Sequence, residues 1–141
     1  MMIERLTEAT EGALADINAL LKKLKSRNEQ ESLEGLRATV GDSHAVVMVM
    51  KDEGRIIGMA FLFILQTLQG RNGSIEDVVV DEAYRGQGLG VKIMEAVIEE
   101  AKREKVTEIM LTSKPKRVAA NKLYQKLGFV QKETNVYEME L

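Results

Sequence analysis

A chain of 141 residues with formal net charge -2, no cysteine, one histidine and one proline fits a single domain able to bury a proper core. No basic footprint argues for nucleic acid, and the lack of cysteine removes disulfides, Cys-rich metal sites and cysteine nucleophiles together. The longest apolar run, Ile56 to Leu65 broken by Gly58, is too short to span a bilayer, and the start Met1-Met2-Ile3-Glu4 has no basic stretch leading into an apolar one, so neither membrane nor signal peptide is expected and the cytoplasm is the expected location.

Met2 to Leu6 reads as a short strand. From Thr7 to about Ser26, Ala13, Leu14, Ile17, Leu20, Leu21 and Leu24 recur at helical spacing, with Lys22, Lys23 and Lys25 in the last turns, where they suit the helix dipole. Arg27 to Glu31 is a polar break. Ser32 is a suitable N-cap for a second helix ending near Val40–Gly41. Ala45 to Met50 is a strand, Asp52-Glu53-Gly54 turns it, and Arg55 to Gln66 returns. Gln69 to Gly73 is a further turn, and Ser74 to Asp81 completes the meander. A helix from about Gly88 to Lys105 buries Leu89, Ile93, Met94, Val97, Ile98 and Ala101 and turns Lys92, Glu95, Glu99 and Lys102 to water. Thr107 to Thr112 is a strand, parallel to 74–81 because a helix joins them. After the loop Lys114-Pro115-Lys116, a helix over Val118 to Leu127 stops at Gly128. Phe129 to Lys132 and Val136 to Leu141 read as two last strands. This order predicts an α/β (α+β) fold: one mixed sheet with helices on both faces, in a single domain over 1–141.

Chemistry concentrates in residues 75–91. Ile75 to Val80 is a β-branched run, Asp81 to Tyr84 a turn, and Gly86, Gly88 and Gly90 occupy every second position before the helix. Consecutive backbone N–H groups and the positive end of the helix dipole then converge on one point, where glycines permit close approach. A diphosphate-bearing ligand at 85–91 is the expectation. A bland alternative is a tight strand-to-helix turn. Walker and dinucleotide sites are excluded, since there is no Gly-Lys-Ser/Thr and no Gly-x-Gly-x-x-Gly. No metal constellation is evident.

Arg85-Gly86-Gln87-Gly88-Leu89-Gly90, with Val78-Val79-Val80-Asp81 before it and a helix after it, resembles motif A (Arg/Gln-x-x-Gly-x-Gly/Ala) of the GNAT superfamily of acetyl-CoA-dependent N-acetyltransferases. About thirty residues on, Asn121, Tyr124 and Gly128-Phe129 resemble that superfamily's second Asn…Tyr…Gly-Phe segment. Ile75-Glu76-Asp77-Val78-Val79-Val80-Asp81 looks most like glucosamine-6-phosphate N-acetyltransferases and small unassigned bacterial and archaeal members.

The resemblance implies a GNAT domain over 1–141, its central sheet mostly antiparallel with one parallel pair splayed by a β-bulge. It implies acetyl-CoA as cosubstrate and direct transfer to an amine in a ternary complex, with no acyl-enzyme. Arg85, Gly86, Gln87, Gly88, Leu89, Gly90 and Val91 would hold the coenzyme A pyrophosphate. Backbone near Val78, Val79 and Val80 would pair with the pantetheine arm, and one N–H there would polarise the thioester carbonyl; their side chains alone say only "buried strand". Tyr124 would be the general acid on the thiolate, since reference pKa values are about 10 for tyrosine and about 8.5 for a thiol; sharing a face with Leu123 and Leu127, it equally suits a core tyrosine. Asn121 would bind pantetheine amides, or is a surface helix residue.

Glu76 is the first-choice base, alternating with Val78 and Val80 and so expected on their face; Asp77 is second. Either alternatively serves an ion pair or a cap. Lys126 with Lys114, Lys116 and Arg117 forms a basic cluster suited to the coenzyme 3'-phosphate, to an anionic substrate, or to plain solvation. His44 reads as a surface residue. The acceptor pocket of this superfamily would fall at Arg27 to Glu31 and at the C-terminal hairpin Gln131 to Tyr137. Glu29 and Glu31 suit a cationic acceptor and the basic cluster an anionic one, so small-molecule amine, amino-sugar phosphate and protein amine stay open. A catalytically silent acyl-CoA sensor is the alternative function. The apolar positions Val136, Met139 and Leu141 permit a homodimer.

Overall fold

The structure, a computed structural model, describes residues 1–24 and 30–141. They divide into two compact units, Met1–Leu111 and Thr112–Leu141. The first contains β1 (Met2–Arg5), α1 (Glu11–Leu24), α2 (Leu33–Val40), β2 (Ala45–Asp52), β3 (Arg55–Thr67), β4 (Gly70–Val80), α3 (Leu89–Arg103) and β5 (Glu108–Met110). Its sheet has the order β1-β2-β3-β4-β5, antiparallel except for the last pair. Among the described residues no helix is long and apolar enough to cross a membrane.

Local chemistry explains most boundaries. The Ser32 hydroxyl accepts from the Gly35 N–H (3.0 Å) and starts α2. Glu53 and Gly54 both take positive φ (+50° and +79°), the conformation a two-residue hairpin turn needs to match strand twist. Asp52 and Arg55 therefore face each other across the hairpin. α1 is shorter at its start than the periodicity suggests, beginning at Glu11, because Thr10 caps it through the Ala13 N–H (3.1 Å). Its expected end near Ser26, with Lys25, and the break from Arg27 to Glu29 lie outside the described residues.

Strand register assigns the faces. Val47, Val49, Met59 and Phe61 share one face and pack with Ile17 and Leu20 of α1 and Leu36 of α2. Val46, Met48, Ala60 and Leu62 point the other way and are fully or almost fully buried on the side taken by α3, whose Ile93, Met94 and Val97 are also fully buried. Two arginines from the sheet fix the end of that helix. Arg5 on β1 meets Glu104 at 2.8 Å, and the Arg71 Nε on β4 donates to the Glu104 carbonyl oxygen at 2.7 Å. Cations at a helix C-terminus also suit its dipole.

The parallel pairing of β4 with β5 is as expected but brief: Asn72–Glu108, Gly73–Ile109 and Ser74–Met110. Gly73 lies against both Ile109 and β3, and a Cβ there would stand 2.8 Å from a methyl of Leu62.

The second unit holds α4 (Val118–Lys126), stopped at Gly128, which takes φ +103°. Here the structure corrects one expectation. Residues 129–141 form no strand. Their alternation satisfies the strand pattern, but a strand is stable only when a ladder partner satisfies its N–H and C=O groups, and an isolated pair is marginal.

Candidate functional site

The register of β3 with β4 breaks once. Met59 pairs with Val79 and Phe61 with Glu76, so Ala60 alone faces two residues, Asp77 and Val78. This is a β-bulge, and Asp77 carries it at φ +52°. Aspartate tolerates that left-handed conformation better than a β-branched residue. The bulge follows closely on the last β4–β5 pair at Ser74. From Ile75 to Val80, β4 remains bonded to β3 but has no strand on its other edge among the described residues. The splayed strand that the family resemblance implied is thus present.

The bulge overturns one placement. Glu76 does not share a face with Val80. It lies opposite Phe61, on the α1 face with Val79, whereas Val80 lies opposite Gly58 on the α3 face. One inserted residue reverses the alternation that the sequence implies. The Glu76 carboxylate is exposed and accepts from the Ser74 hydroxyl at 2.8 Å. Solvent reaches the Asp77 carboxyl too, yet desolvation first and the neighbouring Glu76 charge second hold it above the usual carboxylate range.

Beyond β4 the chain makes a 3₁₀ turn, Glu82–Tyr84, and then the glycine loop. Gly86 and Gly88 take φ +81° and +71°, and nothing lies within 4 Å of where their Cβ atoms would be. Gly88 is the N-cap of α3. It offers no side-chain cap, and the first turn of α3 holds no acidic residue. By contrast Thr10 and Ser32 cap α1 and α2, so α3 is the helix of this unit whose first N–H groups and positive dipole end are left for another acceptor. Gly90 and Val91 are in the first turn of that helix, and Leu89 is buried beneath it. The Arg85 side chain is 72% exposed and lies 3.5 Å from Glu82.

Two contacts tie this loop's upstream end to the sheet. The Asp81 carboxylate accepts from the Ala83 N–H (3.0 Å) and lies 3.3 Å from Lys23 and 3.7 Å from Arg55. Those partners, the Ala83 N–H foremost, hold it below the usual carboxylate range. The Tyr84 hydroxyl donates to the Asp52 carboxylate at 2.7 Å, and that bond is the chief cause of an upward shift of the phenol. Sequence reading missed Lys23, Asp52, Arg55 and Tyr84 in this role, because they lie far apart along the chain and follow no period.

In the second unit, Tyr124 packs edge-on against Phe129, with ring centroids 6.0 Å apart, and its carbonyl accepts from the Phe129 N–H. The side-chain amide of Asn121 donates to the carbonyls of Lys114 and Arg117, both at 2.9 Å. Its N–H groups are therefore engaged within the loop, and Oδ1 is what it can offer a ligand. Lys114, Lys116, Arg117 and Lys126 are exposed, and Ser113 keeps a buried hydroxyl without a hydrogen-bond partner among the described residues. His44 is a surface residue in the turn before β2, as expected: its N–H donates to Asp42 and its ring meets Ser43.

Residues 14–129 match the family described as Acetyltransferase (GNAT) family. A probable glucosamine 6-phosphate N-acetyltransferase of Oryza sativa is 37% identical over 102 residues, 67% of this chain and 59% of its own length. The thialysine N-epsilon-acetyltransferase of Mus musculus is 31% identical over 145 residues, 91% of this chain and 85% of its own. A solved acetyltransferase of Trypanosoma brucei superposes with a TM-score of 0.79 at 28% identity, covering 99% of both chains.

Proposed function

The chain belongs to the acetyltransferase (GNAT) family, and on that footing we propose that residues 1–141 act as one domain that moves an acetyl group from acetyl-CoA to a primary amine. One observation carries the reading. β4 loses its β5 partner after Ser74, bulges at Asp77 and, a few residues on, feeds an uncapped helix through two left-handed glycines. That combination gives an extended ligand an edge to pair with and its diphosphate an anion cradle.

On this reading the backbone N–H groups from Arg85 to Val91 hold the pyrophosphate, and the free edge at Val78–Val80 holds the pantetheine. A positioned N–H meets the oxygen of the thioester carbonyl as it gains charge. The acceptor must be neutral to attack, so Glu76, directly or through water, takes the ammonium proton. Asp77 is second choice for that task. The amine nitrogen bonds to the acetyl carbon, the carbon–sulfur bond breaks, and the departing thiolate takes the Tyr124 phenol proton. The second proton of the nitrogen, shed as the amide forms, restores that phenol directly or through water. The products are the N-acetyl amine and coenzyme A. Asn121 contributes Oδ1 to a pantetheine amide, and Lys126 meets the 3'-phosphate. Catalysis comes chiefly from positioning and from excluding water around the amine.

The names of the relatives leave two acceptor chemistries in view, an amino-sugar phosphate and an amine on an aliphatic stem. The same reading keeps the protein in the cytoplasm. It also allows a homodimer through the C-terminal segment, where Val136, Tyr137, Met139 and Leu141 are exposed. The test is coenzyme A release from acetyl-CoA over a panel of amines that includes glucosamine 6-phosphate, thialysine and spermidine. Turnover of any one supports acetyl transfer and names the acceptor. Tight acetyl-CoA binding without turnover would leave a sensor in its place.

A further inference from the structure

We propose that the tip of the β2–β3 hairpin is a brace for the coenzyme loop, in which Asp52 and Arg55 hold Tyr84 and Asp81 and so fix the upstream end of the glycine cradle. The inference rests on the coenzyme reading of residues 85–91.

It begins with the turn. Because Glu53 and Gly54 both adopt positive φ, the hairpin closes in two residues and sets Asp52 directly across from Arg55. An anion and a cation are therefore presented side by side at one end of the sheet. The chain leaving β4 carries the complementary pair. The Asp81 N–H donates to the Ile57 carbonyl at 2.7 Å, extending the ladder by one bond past Val80. That bond brings the Asp81 carboxylate to 3.7 Å from Arg55, and three residues later the Tyr84 hydroxyl reaches Asp52 at 2.7 Å. Lys23, from α1, adds a third element at 3.3 Å from Asp81.

The loop that follows needs such an anchor. Gly86 and Gly88 make it pliable, and glycine loses more conformational freedom on ordering than any other residue. A ligand that had to order the whole segment would bind more weakly. The downstream end is already fixed, since Leu89 is buried as α3 begins. Tyr84 and Asp52 fix the other end, four residues before Gly88. Neither side chain is assigned any contact with the reacting atoms, so both are positioning residues.

The experiment measures acetyl-CoA affinity by titration calorimetry, and the unfolding midpoint without ligand, for the full chain and for Tyr84→Phe, Asp52→Ala, Asp52→Asn and the double variant Tyr84→Phe/Asp52→Ala. Tyr84→Phe keeps the ring and removes only the donor. Loss of one such bond is expected to raise Kd roughly three- to tenfold. Asp52→Asn retains an acceptor oxygen and is expected to bind nearly as the parent does. The double variant should be no worse than the more affected single one, because both remove the same bond. Lowered midpoints with an unchanged Kd would overturn the proposal and leave the contact a fold-stabilising one. Additive losses in the double variant would also overturn it. Failure of the parent protein itself to bind acetyl-CoA is a different result: it would remove the coenzyme reading, and the brace with it.

Discussion

Glu76 and Val79 project from the same face of β4, three residues apart, where a regular strand would put them on opposite faces. The residue that changes the parity is Asp77, which the bulge absorbs in a left-handed conformation. The same bulge follows a few residues after the last β4–β5 pair, at Ser74. That single insertion turns a carboxylate toward the α1 face beside Phe61, next to a stretch of β4 whose other edge carries no strand among the described residues.

Substitutions at Asp77 separate backbone strain from charge. Asp77→Val puts a β-branched residue at φ +52° and should cost about 1–2 kcal/mol, whereas Asp77→Gly should keep the bulge. Asp77→Asn suits the conformation and removes the charge. Because the folded pKa of Asp77 is raised, the native state binds its proton more tightly than the unfolded chain does. Stability therefore falls as pH rises from the unfolded value, about 3.9, through the higher folded one. Urea unfolding across that interval should show the parent losing stability relative to Asp77→Asn as pH rises, with the variant at least as stable as the parent at pH 7.

Gly88→Ala distinguishes a turn glycine from a ligand glycine. Nothing lies within 4 Å of the added Cβ, so the free protein meets only the strain of alanine at φ +71°, about 1 kcal/mol. If the cradle takes a pyrophosphate, that methyl stands between ligand and backbone. The expected outcome is a modest fall in the unfolding midpoint together with an acetyl-CoA Kd raised roughly tenfold or more, a loss of about 1.4 kcal/mol or above. Equal, small effects on stability and affinity would mean that the loop is only a turn.

The helices, most of the sheet and the glycine turn ahead of α3 could be read because their signals are local, although the turn expected over Gln69 to Gly73 is in fact the start of β4 at Gly70. The α3 stripe repeats with the helical period, Glu53-Gly54 is a turn dipeptide, and Gly86 and Gly88 precede a helix with no cap. The bulge could not be placed from residues alone. Asp77 has no distinctive neighbour, and the reversed facing of Glu76 follows from register against β3. The brace was equally hidden, since Asp52 and Tyr84 are 32 residues apart and meet only after the hairpin closes. The strands expected after Gly128 fail for the converse reason: their pattern is present, but pairing is a property of a partner. Asn121 shows a finer limit, since its position suggests a ligand contact while its amide is engaged by the Lys114 and Arg117 carbonyls.

Asp81 gives a pH dependence of opposite sign to that of Asp77. Its folded pKa is lowered, first by the Ala83 N–H and then by Lys23 and Arg55. Its contribution is therefore fully present above the unfolded value, about 3.9, and is lost as pH falls through the lower folded value. Asp81→Asn should destabilise the protein at pH 7, and the gap to the parent should narrow in acid. Thermal unfolding at pH 7 and pH 3 checks this; a gap that widens in acid would contradict the assigned direction.

Tyr124→Phe tests the acid step with little disturbance of structure. The ring that packs edge-on against Phe129 is retained, so the unfolding midpoint should not change. If the hydroxyl protonates the departing thiolate, kcat should fall by roughly 10²-fold or more, while acetyl-CoA affinity stays near the parent's because the phosphate cradle is untouched. The loss should fall on the chemical step and be smaller for a thioester whose leaving thiol is more acidic, since such a thiolate departs with less help. A packing role predicts the reverse: a small uniform change in both steady-state constants that does not depend on the leaving group. An unchanged kcat with the most active acceptor would place Tyr124 in the core of the helix face it shares with Leu123 and Leu127, and protonation of the thiolate would then fall to water.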